Sequence, residues 1–215
     1  MSSQFQRART QEQFDVRREE ILNACAEIYK LKSFDEVIFK DIAERTSLSR
    51  TTIYSYYKTK EEIFLDLIKR EYLFIAKNLS CEFKKFNNLS CEDFCGILAD
   101  AFMSSDIMLS LFAIQLTRLE AKCSVQQLAN FKIEIEFIFD VLQNAVKKFF
   151  PNSTNLQRDN FIAEFFIFIQ GVYPYTKPSA KQLEAINLAS VKHCVILDTR
   201  EILYDGLLNL AHGLK

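Results

Sequence analysis

Polar side chains that can contact a nucleic acid are concentrated between Arg45 and Lys60. This stretch holds four basic residues and no acidic one. Arginine, lysine and hydroxyl groups bind phosphate oxygens and reach base edges in the major groove of DNA. The outward-facing candidates are Ser49, Arg50, Thr51, Thr52, Tyr54 and Tyr56. The stretch indicates a DNA contact, although the same residue types also occur on ordinary solvated helix faces.

Two short helices joined by a tight turn are predicted to position these side chains. Ile42, Ala43 and Thr46 share one face of the first helix, and Leu48 lies in the turn. The buried side of the second helix is expected to carry Ile53 and Tyr57. This arrangement is typical of a helix-turn-helix, in which the first helix braces the second.

Charge alone does not predict a nucleic-acid partner. The chain has a net charge of −1. Its first 72 residues contain 13 basic and 13 acidic side chains. Any contact with DNA must therefore depend on local placement of charge rather than on a basic domain.

The segment Arg17–Tyr72 resembles the DNA-binding domain of the tetracycline-repressor (TetR) family. The matching stretches are RREEILNACAEIYKLKSF and DIAERTSLSRTTIYSYYKTKEEIF, in which IA, LS, TIY, YY and KTKEEIF follow the expected order and spacing. The family usually has Gly where Ser33 and Ser47 stand, and Thr where Ile38 stands. We therefore expect Ser47 either to adopt a positive φ or to reshape the turn, and Ile38 to provide no side-chain cap.

The resemblance implies roles for individual side chains. Base contacts are expected from Lys40, Arg50, Thr51 and Tyr54. Phosphate contacts are expected from Thr52, Tyr56, Lys58 and Lys60, and Ser49 completes the candidate set. A twofold dimer would place two recognition helices about 34–36 Å apart on a pseudo-palindromic operator in double-stranded DNA.

Composition is that of a globular all-α protein. The 215 residues are 49% hydrophobic and 26% charged, with 4 Gly and 3 Pro among long apolar-periodic runs. The chain has two His and lacks a nucleophile elbow, a phosphate loop and a metal-ligand cluster, which gives little support to an enzyme. We expect no catalytic residue, no metal site and no cofactor.

Cysteine usage and hydropathy predict a cytoplasmic protein. Six Cys show no paired framework, and no signal peptide is recognisable. The longest apolar run, Phe165–Ile169, is far shorter than the roughly 20 residues of a membrane span. Cys91 and Cys95, one helical turn apart, are interpreted as small helix residues, with metal binding or oxidant sensing as the alternative.

Apolar periodicity and breaker residues divide the chain. An N-terminal three-helix helix-turn-helix domain is predicted over residues 11–58, a linking helix over 60–83, and a helical ligand-binding and dimerisation bundle over 84–215. The first helix is expected to cover about 11–31. The bundle helices are predicted over about 91–102, 106–121, 125–150, 155–170, 179–190 and 198–212. Gly171 is expected to end the fourth of these, followed by a loop over 172–178.

The bundle is expected to supply a dimer interface and an effector pocket. The helix from Asn155 is apolar nearly all round and therefore needs cover on every side, which a partner subunit can provide. The predicted interface residues are Phe161, Phe165, Phe168, Ile169, Leu203, Leu207 and Leu210. The candidate ligand-binding residues are Phe102, Met103, Met108, Phe112, Leu116, Phe137 and Val141, with plain core packing as the alternative.

The leading hypothesis is a dimeric, sequence-specific transcriptional regulator, usually a repressor in the family that the chain resembles. A small, largely hydrophobic effector would release it from DNA, since an apolar pocket favours such a ligand. Glu134, Glu136 and Glu164 would meet a cation there, or are simply solvated. The alternative is an all-α interaction or scaffold protein without sequence-specific DNA binding.

Overall fold

A computed structural model describes residues 10–189 and 197–214. Every regular element in these ranges is helical, which confirms the predicted all-α class. The α-helices are α1 Gln11–Tyr29, α2 Phe39–Glu44, α3 Arg50–Tyr56, α4 Lys60–Phe83, α5 Cys91–Met103, α6 Met108–Ile114, α7 Val125–Phe149, α8 Asn155–Thr176, α9 Ala180–Ala189 and α10 Thr199–Ala211. The predicted helix end at Ser190, together with His193 and Cys194, lies outside the described residues.

The chain forms two compact units, Met1–Leu67 and Ile68–Lys215, and the division between them falls inside α4. The predicted domain limits at residues 58 and 84 remain a prediction. In the first unit, α1, α2, α3 and the start of α4 surround a small core. That core contains the fully buried side chains of Ile21, Ile28, Ile42, Ile53 and Phe64.

The second unit has a core rich in phenylalanine. Helix α10 packs against α5 and α8, while α8 also packs against α6 and α7. The rings interlock in T-shaped and tilted pairs, such as Phe102 with Phe165 at 5.0 Å between centroids. Other fully buried rings in this core are Phe94, Phe112 and Phe161.

Helix starts follow the local capping signals. The hydroxyls of Ser90 and Thr154 accept hydrogen bonds from the backbone N–H three residues on, and the Asp198 carboxylate does the same. The Thr59 hydroxyl accepts from Glu62 N at 3.3 Å at the start of α4. The sequence itself predicts these four caps, because each is a Ser, Thr or Asp directly before an apolar helical pattern, and the structure confirms them. A cap depends only on residues that are neighbours in sequence.

The predicted helix end at Gly171 is wrong. Helix α8 continues through Thr176 with Pro174 inside it. Buried Val172 and Thr176 anchor this last stretch, and the Thr176 hydroxyl donates to the Val172 carbonyl at 2.9 Å. Tertiary packing therefore outweighs two local helix breakers at this end.

The helix predicted over residues 106–121 is found as a helical stretch from Met108 to Lys122, but it is not a uniform α-helix. Helix α6 ends at Ile114 and is followed by a π-helical segment, Gln115–Leu119, and then by a 3₁₀ turn, Glu120–Lys122. One turn of π-helix changes the phase of the side chains that follow. As a result Gln115 and Leu119 point inward, while Leu116 is about half exposed.

None of the helices within the described residues is both long and apolar enough to cross a membrane by itself. The pair Cys91–Met103 and Met108–Lys122, bent by 82°, meets that length and composition test only when taken together.

Candidate nucleic-acid interface and ligand cleft

Helix α3 is held by its own cap and by one buried anchor. Ser49 accepts a hydrogen bond from Thr52 N at 3.1 Å, and its hydroxyl lies 2.9 Å from that of Thr52. Ile53 is fully buried, which fixes one side of this two-turn helix against the core of the first unit. The opposite side is therefore exposed, and it presents Arg50, Thr51 and Tyr54.

Tyr54 is held between two other side chains. Its ring stacks on Phe39, the first residue of α2, with centroids 4.3 Å apart and planes at 13°. The guanidinium carbon of Arg50 lies 5.6 Å from the ring centroid of Tyr54, and Arg50 donates to its hydroxyl at 3.5 Å. Tyr54 nevertheless stays 37% exposed, so its hydroxyl edge is available to a ligand.

The structure brings most of the predicted DNA-contact residues onto α3 and the turn after it. Lys40 lies apart on α2, where its ammonium is 3.8 Å from Glu44. Tyr56 packs its ring 4.5 Å from that of Phe14. Lys58 is exposed and donates to the Tyr54 carbonyl at 3.1 Å. These side chains remain at the surface, with Tyr56 and Thr52 half-buried.

Lys60 is placed differently from a phosphate-binding lysine. Its ammonium donates to the carbonyls of Phe34, Asp35 and Val37 at 2.7, 3.1 and 3.4 Å. It also lies 4.4 Å from the ring centroid of Phe34. These contacts occupy all three ammonium hydrogens, so the geometry favours a structural role for Lys60 in holding the loop before α2.

A polar network behind α3 was not anticipated from the sequence. The Tyr57 hydroxyl donates to Asp66 at 2.7 Å, and Arg18 donates to both Tyr57 and Asp66. Burial and the neighbouring Asp66 carboxylate raise the pKa of Tyr57 above its ordinary value. The network ties α1, the end of α3 and α4 together within the first unit, and it fixes the residue that follows α3.

Three departures from the family pattern have local compensations. Ser47 donates from its backbone N and its hydroxyl to the Glu20 carboxylate, which anchors the turn to α1. Ser33 donates twice to Glu36, at 2.9 and 2.6 Å. Ile38 makes no side-chain cap, as expected, but the Asp41 carboxylate accepts its backbone N–H at 3.4 Å.

The second unit contains an open cleft of about 600 Å³ between the π-helical segment, α7 and α8, with α4 contributing to its wall. Its wall is mostly aromatic and aliphatic, with polar groups from three helices. The residues that determine its chemistry are Tyr72, Gln115, Lys132, Glu136, Phe139 and Phe166. Clefts of this size and character are typical of small-molecule sites.

A chain of hydrogen bonds runs from the floor of this cleft to its rim. The buried Tyr72 hydroxyl donates to Gln115 Oε1 at 3.0 Å, and Gln115 Nε2 donates to Glu120 at 2.8 Å. Lys132 completes the chain with an ammonium 2.7 Å from Glu120. Burial raises the pKa of Tyr72, so its phenol stays neutral and remains a donor.

The predicted ligand-binding residues coincide with this cleft at Leu116 alone. Phe102, Met108 and Phe112 are buried in the core, where no solvent reaches them, and Val141 is also buried. Phe137 is exposed outside the cleft lining, and Met103 is half-buried near the end of α5. The prediction followed apolar periodicity, which identifies core. The sequence signal that accompanies the cleft is a glutamine, Gln115, at a position that the pattern would bury.

Most of the predicted dimer-interface residues lie in the core of the single chain. Phe161, Phe165, Ile169, Leu203 and Leu207 are at most 1% exposed within a single chain, which leaves them no surface for a partner. Phe168 is half-buried because its ring lies against Gly206 of α10, where any side chain would overlap it. Leu210 is also half-buried. The exposed apolar side chains of α8 are different ones, and Ile167 is 74% exposed.

Cys91 and Cys95 have the properties of ordinary small residues of a helix. Cys95 is buried, and burial together with the neighbouring Cys91 raises its thiol pKa. A raised pKa disfavours the thiolate that binds metals and reacts with oxidants. Across the described residues no group of three or more His, Cys, Asp or Glu side chains is arranged to hold a metal ion.

Comparison with solved structures agrees with this architecture. The stearoyl-CoA complex of the transcriptional regulator FadR from Bacillus subtilis is 13% identical, covers 91% of this chain and 98% of its own, and superposes with a TM-score of 0.58. A TetR-family regulator from Mesorhizobium loti, also 13% identical, covers 92% and 96% with a TM-score of 0.58. At this identity the likeness is one of fold.

Sequence comparison identifies the family. The HTH-type transcriptional regulator YfiR of Bacillus subtilis is 37% identical over 60 residues, which span 28% of this chain and 29% of that relative. Residues 21–67 match the bacterial regulatory proteins of the tetR family, and residues 69–215 match the tetracyclin repressor-like C-terminal domain. Since the two matches together cover most of the sequence, the chain belongs to the TetR family of transcriptional regulators.

Proposed function

We propose that the protein is a dimeric repressor that reads a pseudo-palindromic operator with α3 and is released by a small, largely hydrophobic effector. The observation that carries the DNA-reading role is the stack of Phe39, Tyr54 and Arg50. A side chain already ordered on the protein loses less conformational entropy on binding DNA than a free one. Such a regulator acts in the cytoplasm, on the chromosome.

Base contacts are assigned to Arg50, Thr51 and Tyr54, with Lys40 beside them. Arginine and hydroxyl groups recognise base edges in the major groove, where each base pair presents its own pattern of donors and acceptors. Phosphate contacts are assigned to Thr52, Tyr56 and Lys58, together with Ser49 at the helix start. Lys60 is left out of this set because its ammonium is occupied by backbone carbonyls.

The dimer is proposed to form through the outer face of α8 rather than through its buried face. Ile167 and Tyr175 are 74% and 80% exposed on this helix, and Leu156 is 68% exposed near its start. Exposed apolar residues on one helix are typical of an interface. Ala163 lies between them and allows a second helix to approach closely.

The cleft beside Tyr72 is proposed as the effector site. Tyr72 belongs to α4, the same helix that carries Asp66, the partner of Tyr57 behind α3. This continuity supports coupling between effector binding and DNA binding. An effector acts only through its different affinities for the DNA-competent and the released states. FadR was solved with stearoyl-CoA, so long-chain acyl compounds belong in an effector screen.

Selection from a random duplex library with the purified full-length protein, at a stated salt near physiological, tests the proposal. A pseudo-palindromic consensus with half-sites about one helical turn apart is expected from a sequence-reading dimer. Recovery of no consensus, with only salt-labile binding, would instead favour the all-α interaction protein. Titration of candidate effectors onto the operator complex then tests release.

A further inference from the structure

The cleft in the second unit has walls that suit a positive charge. The rings of Phe139 and Phe166 lie 4.9 Å apart at their centroids, and Tyr72 lies 6.1 Å from Phe166. All three side chains line the same cleft. The faces of aromatic rings attract cations, and the attraction strengthens when water is excluded.

Hydrogen-bonding capacity at the floor is biased toward acceptors. The Tyr72 hydroxyl donates its hydrogen to Gln115, and Gln115 donates one of its two amide hydrogens to Glu120. The lone pairs of the Tyr72 oxygen and a second lone pair on Gln115 Oε1 remain as acceptors, against one remaining amide hydrogen of Gln115 as a donor. A ligand group that donates hydrogen bonds therefore finds more partners here than one that accepts them.

The charged side chains at the cleft also favour a cationic ligand. Lys132 is neutralised by Glu120 at 2.7 Å, and Lys69 by Glu134 at the same distance. Glu136 lines the cleft and has no hydrogen-bond or ion-pair partner among the described residues. The charged side chains that line the cleft are therefore Lys132, which is paired with Glu120 outside the lining, and Glu136, whose carboxylate can pair with a ligand.

We propose that the cleft binds an amphipathic monocation, an ammonium group on an alkyl or aryl body, with Glu136 as its counter-ion. The apolar body lies against Phe139, Phe166 and Ile135, and the ammonium lies between the aromatic faces and the Glu136 carboxylate. An anionic head would face the Glu136 carboxylate, and the one lysine that lines the cleft, Lys132, is already paired with Glu120. This assignment builds on the proposed effector role of the cleft and names the class of effector.

Isothermal titration of the full-length protein, without DNA, tests the assignment with three ligands that share one tail. Decyltrimethylammonium, decanoate and decanol are compared below their micelle concentrations. We expect decyltrimethylammonium to bind one site per chain at least roughly tenfold more tightly than decanoate. Tighter or equal binding of decanoate, or no saturable heat with decyltrimethylammonium, would overturn the proposal.

Two variants on α7 separate the cleft from general surface charge. Glu136→Gln is expected to weaken decyltrimethylammonium binding by roughly tenfold and to leave decanol binding unchanged. Asp140→Asn, one turn further along the same exposed side of α7 and outside the cleft, is expected to have no effect. If both variants lose the same affinity for decyltrimethylammonium, or if Glu136→Gln loses none, a role for Glu136 is contradicted.

A third variant tests the aromatic wall. Phe139→Leu keeps an apolar side chain of similar size but removes the ring face, so decyltrimethylammonium affinity is expected to fall severalfold while decanol affinity holds. A parallel fall for both ligands contradicts a cation–π contribution. Release of the operator DNA is measured separately. If decyltrimethylammonium binds the protein but does not release the operator, the proposed ligand class stands and the proposed effector role is contradicted.

Discussion

The ring of Phe39 lies flat against the ring of Tyr54, 4.3 Å away between centroids and 13° from parallel. Phe39 begins α2, and Tyr54 lies on the exposed side of α3. The contact therefore joins α2 to the proposed reading helix α3 through Tyr54, the side chain that we propose contacts the bases. The stacking explains how the side chain of an exposed tyrosine on a two-turn helix keeps one orientation.

Loss of this stack is expected to weaken operator binding more than it weakens the fold. Phe39→Leu should lower operator affinity up to roughly tenfold, since an aromatic pair contributes about 0.5–1.5 kcal/mol beyond its buried area. Phe39→Tyr keeps a ring and should bind normally. Fluorescence anisotropy measures the affinity of each variant for operator and for random DNA. If Phe39 acts by positioning Tyr54, the affinity of Phe39→Leu for random DNA stays unchanged. Unchanged operator affinity in Phe39→Leu would remove Phe39 from the reading unit.

Removal of Tyr54 itself should have a larger effect. Tyr54→Ala is expected to reduce operator affinity by at least roughly tenfold, because it removes a direct contact and frees Arg50 from its stacking partner. Circular dichroism should show an intact helical protein, since Tyr54 is not part of the buried core. Wild-type affinity in this variant would exclude Tyr54 from the contact set.

Lys58 and Lys60 form a matched pair with different expected roles. Lys60→Ala should lower the free energy of unfolding by about 1–2 kcal/mol, because three carbonyls lose a charged donor. Lys58→Ala should leave stability unchanged and flatten the salt dependence of DNA binding by roughly 0.9 in log–log slope for each subunit of the dimer. Urea unfolding and anisotropy at several salt concentrations measure both. A stable Lys60→Ala protein with a flattened slope would return Lys60 to the phosphate contacts.

A charged substitution tests the proposed dimer interface on the outer face of α8. Ile167→Glu should raise the dimer dissociation constant at least roughly tenfold, because a buried unpaired carboxylate is costly at an interface. Val125→Glu is the control, since Val125 is 84% exposed on α7. Light scattering coupled to size-exclusion chromatography gives the mass of each variant. Dimers of unaltered stability in Ile167→Glu would move the interface elsewhere.

Alkaline pH should destabilise the second unit through Tyr72. Its folded-state pKa is raised above the unfolded value of about 10, chiefly by burial, so the folded phenol holds its proton where the unfolded one loses it. Stability from this group is complete below about pH 10 and falls as the pH rises further. Urea unfolding at pH 9 and pH 11 should show a smaller loss in Tyr72→Phe than in wild type. Tyr175→Phe, at an 80% exposed site, should behave as wild type.

Features that depend on local interactions could be predicted from the residues alone. The hydroxyl and carboxylate caps at Thr59, Ser90, Thr154 and Asp198 were read from residues three positions apart, and each was found in place. The helical class and the family followed from periodicity and from ordered motifs in the first 72 residues. These signals need no knowledge of which surfaces meet.

The direction in which each apolar face points, and the partners of each polar group, could not be predicted because they depend on contacts between distant residues. Phe165 and Ile167 lie two residues apart in one apolar run, yet one is fully buried and the other 74% exposed. Lys60 finds its carbonyl partners about 25 residues away in sequence, and Tyr72 meets Gln115 across 43. Hydrophobic burial depends on area and carries no direction, so a helix that is apolar nearly all round does not itself specify its neighbours. Those neighbours, and with them the cleft and the exposed face of α8, are set by packing between helices.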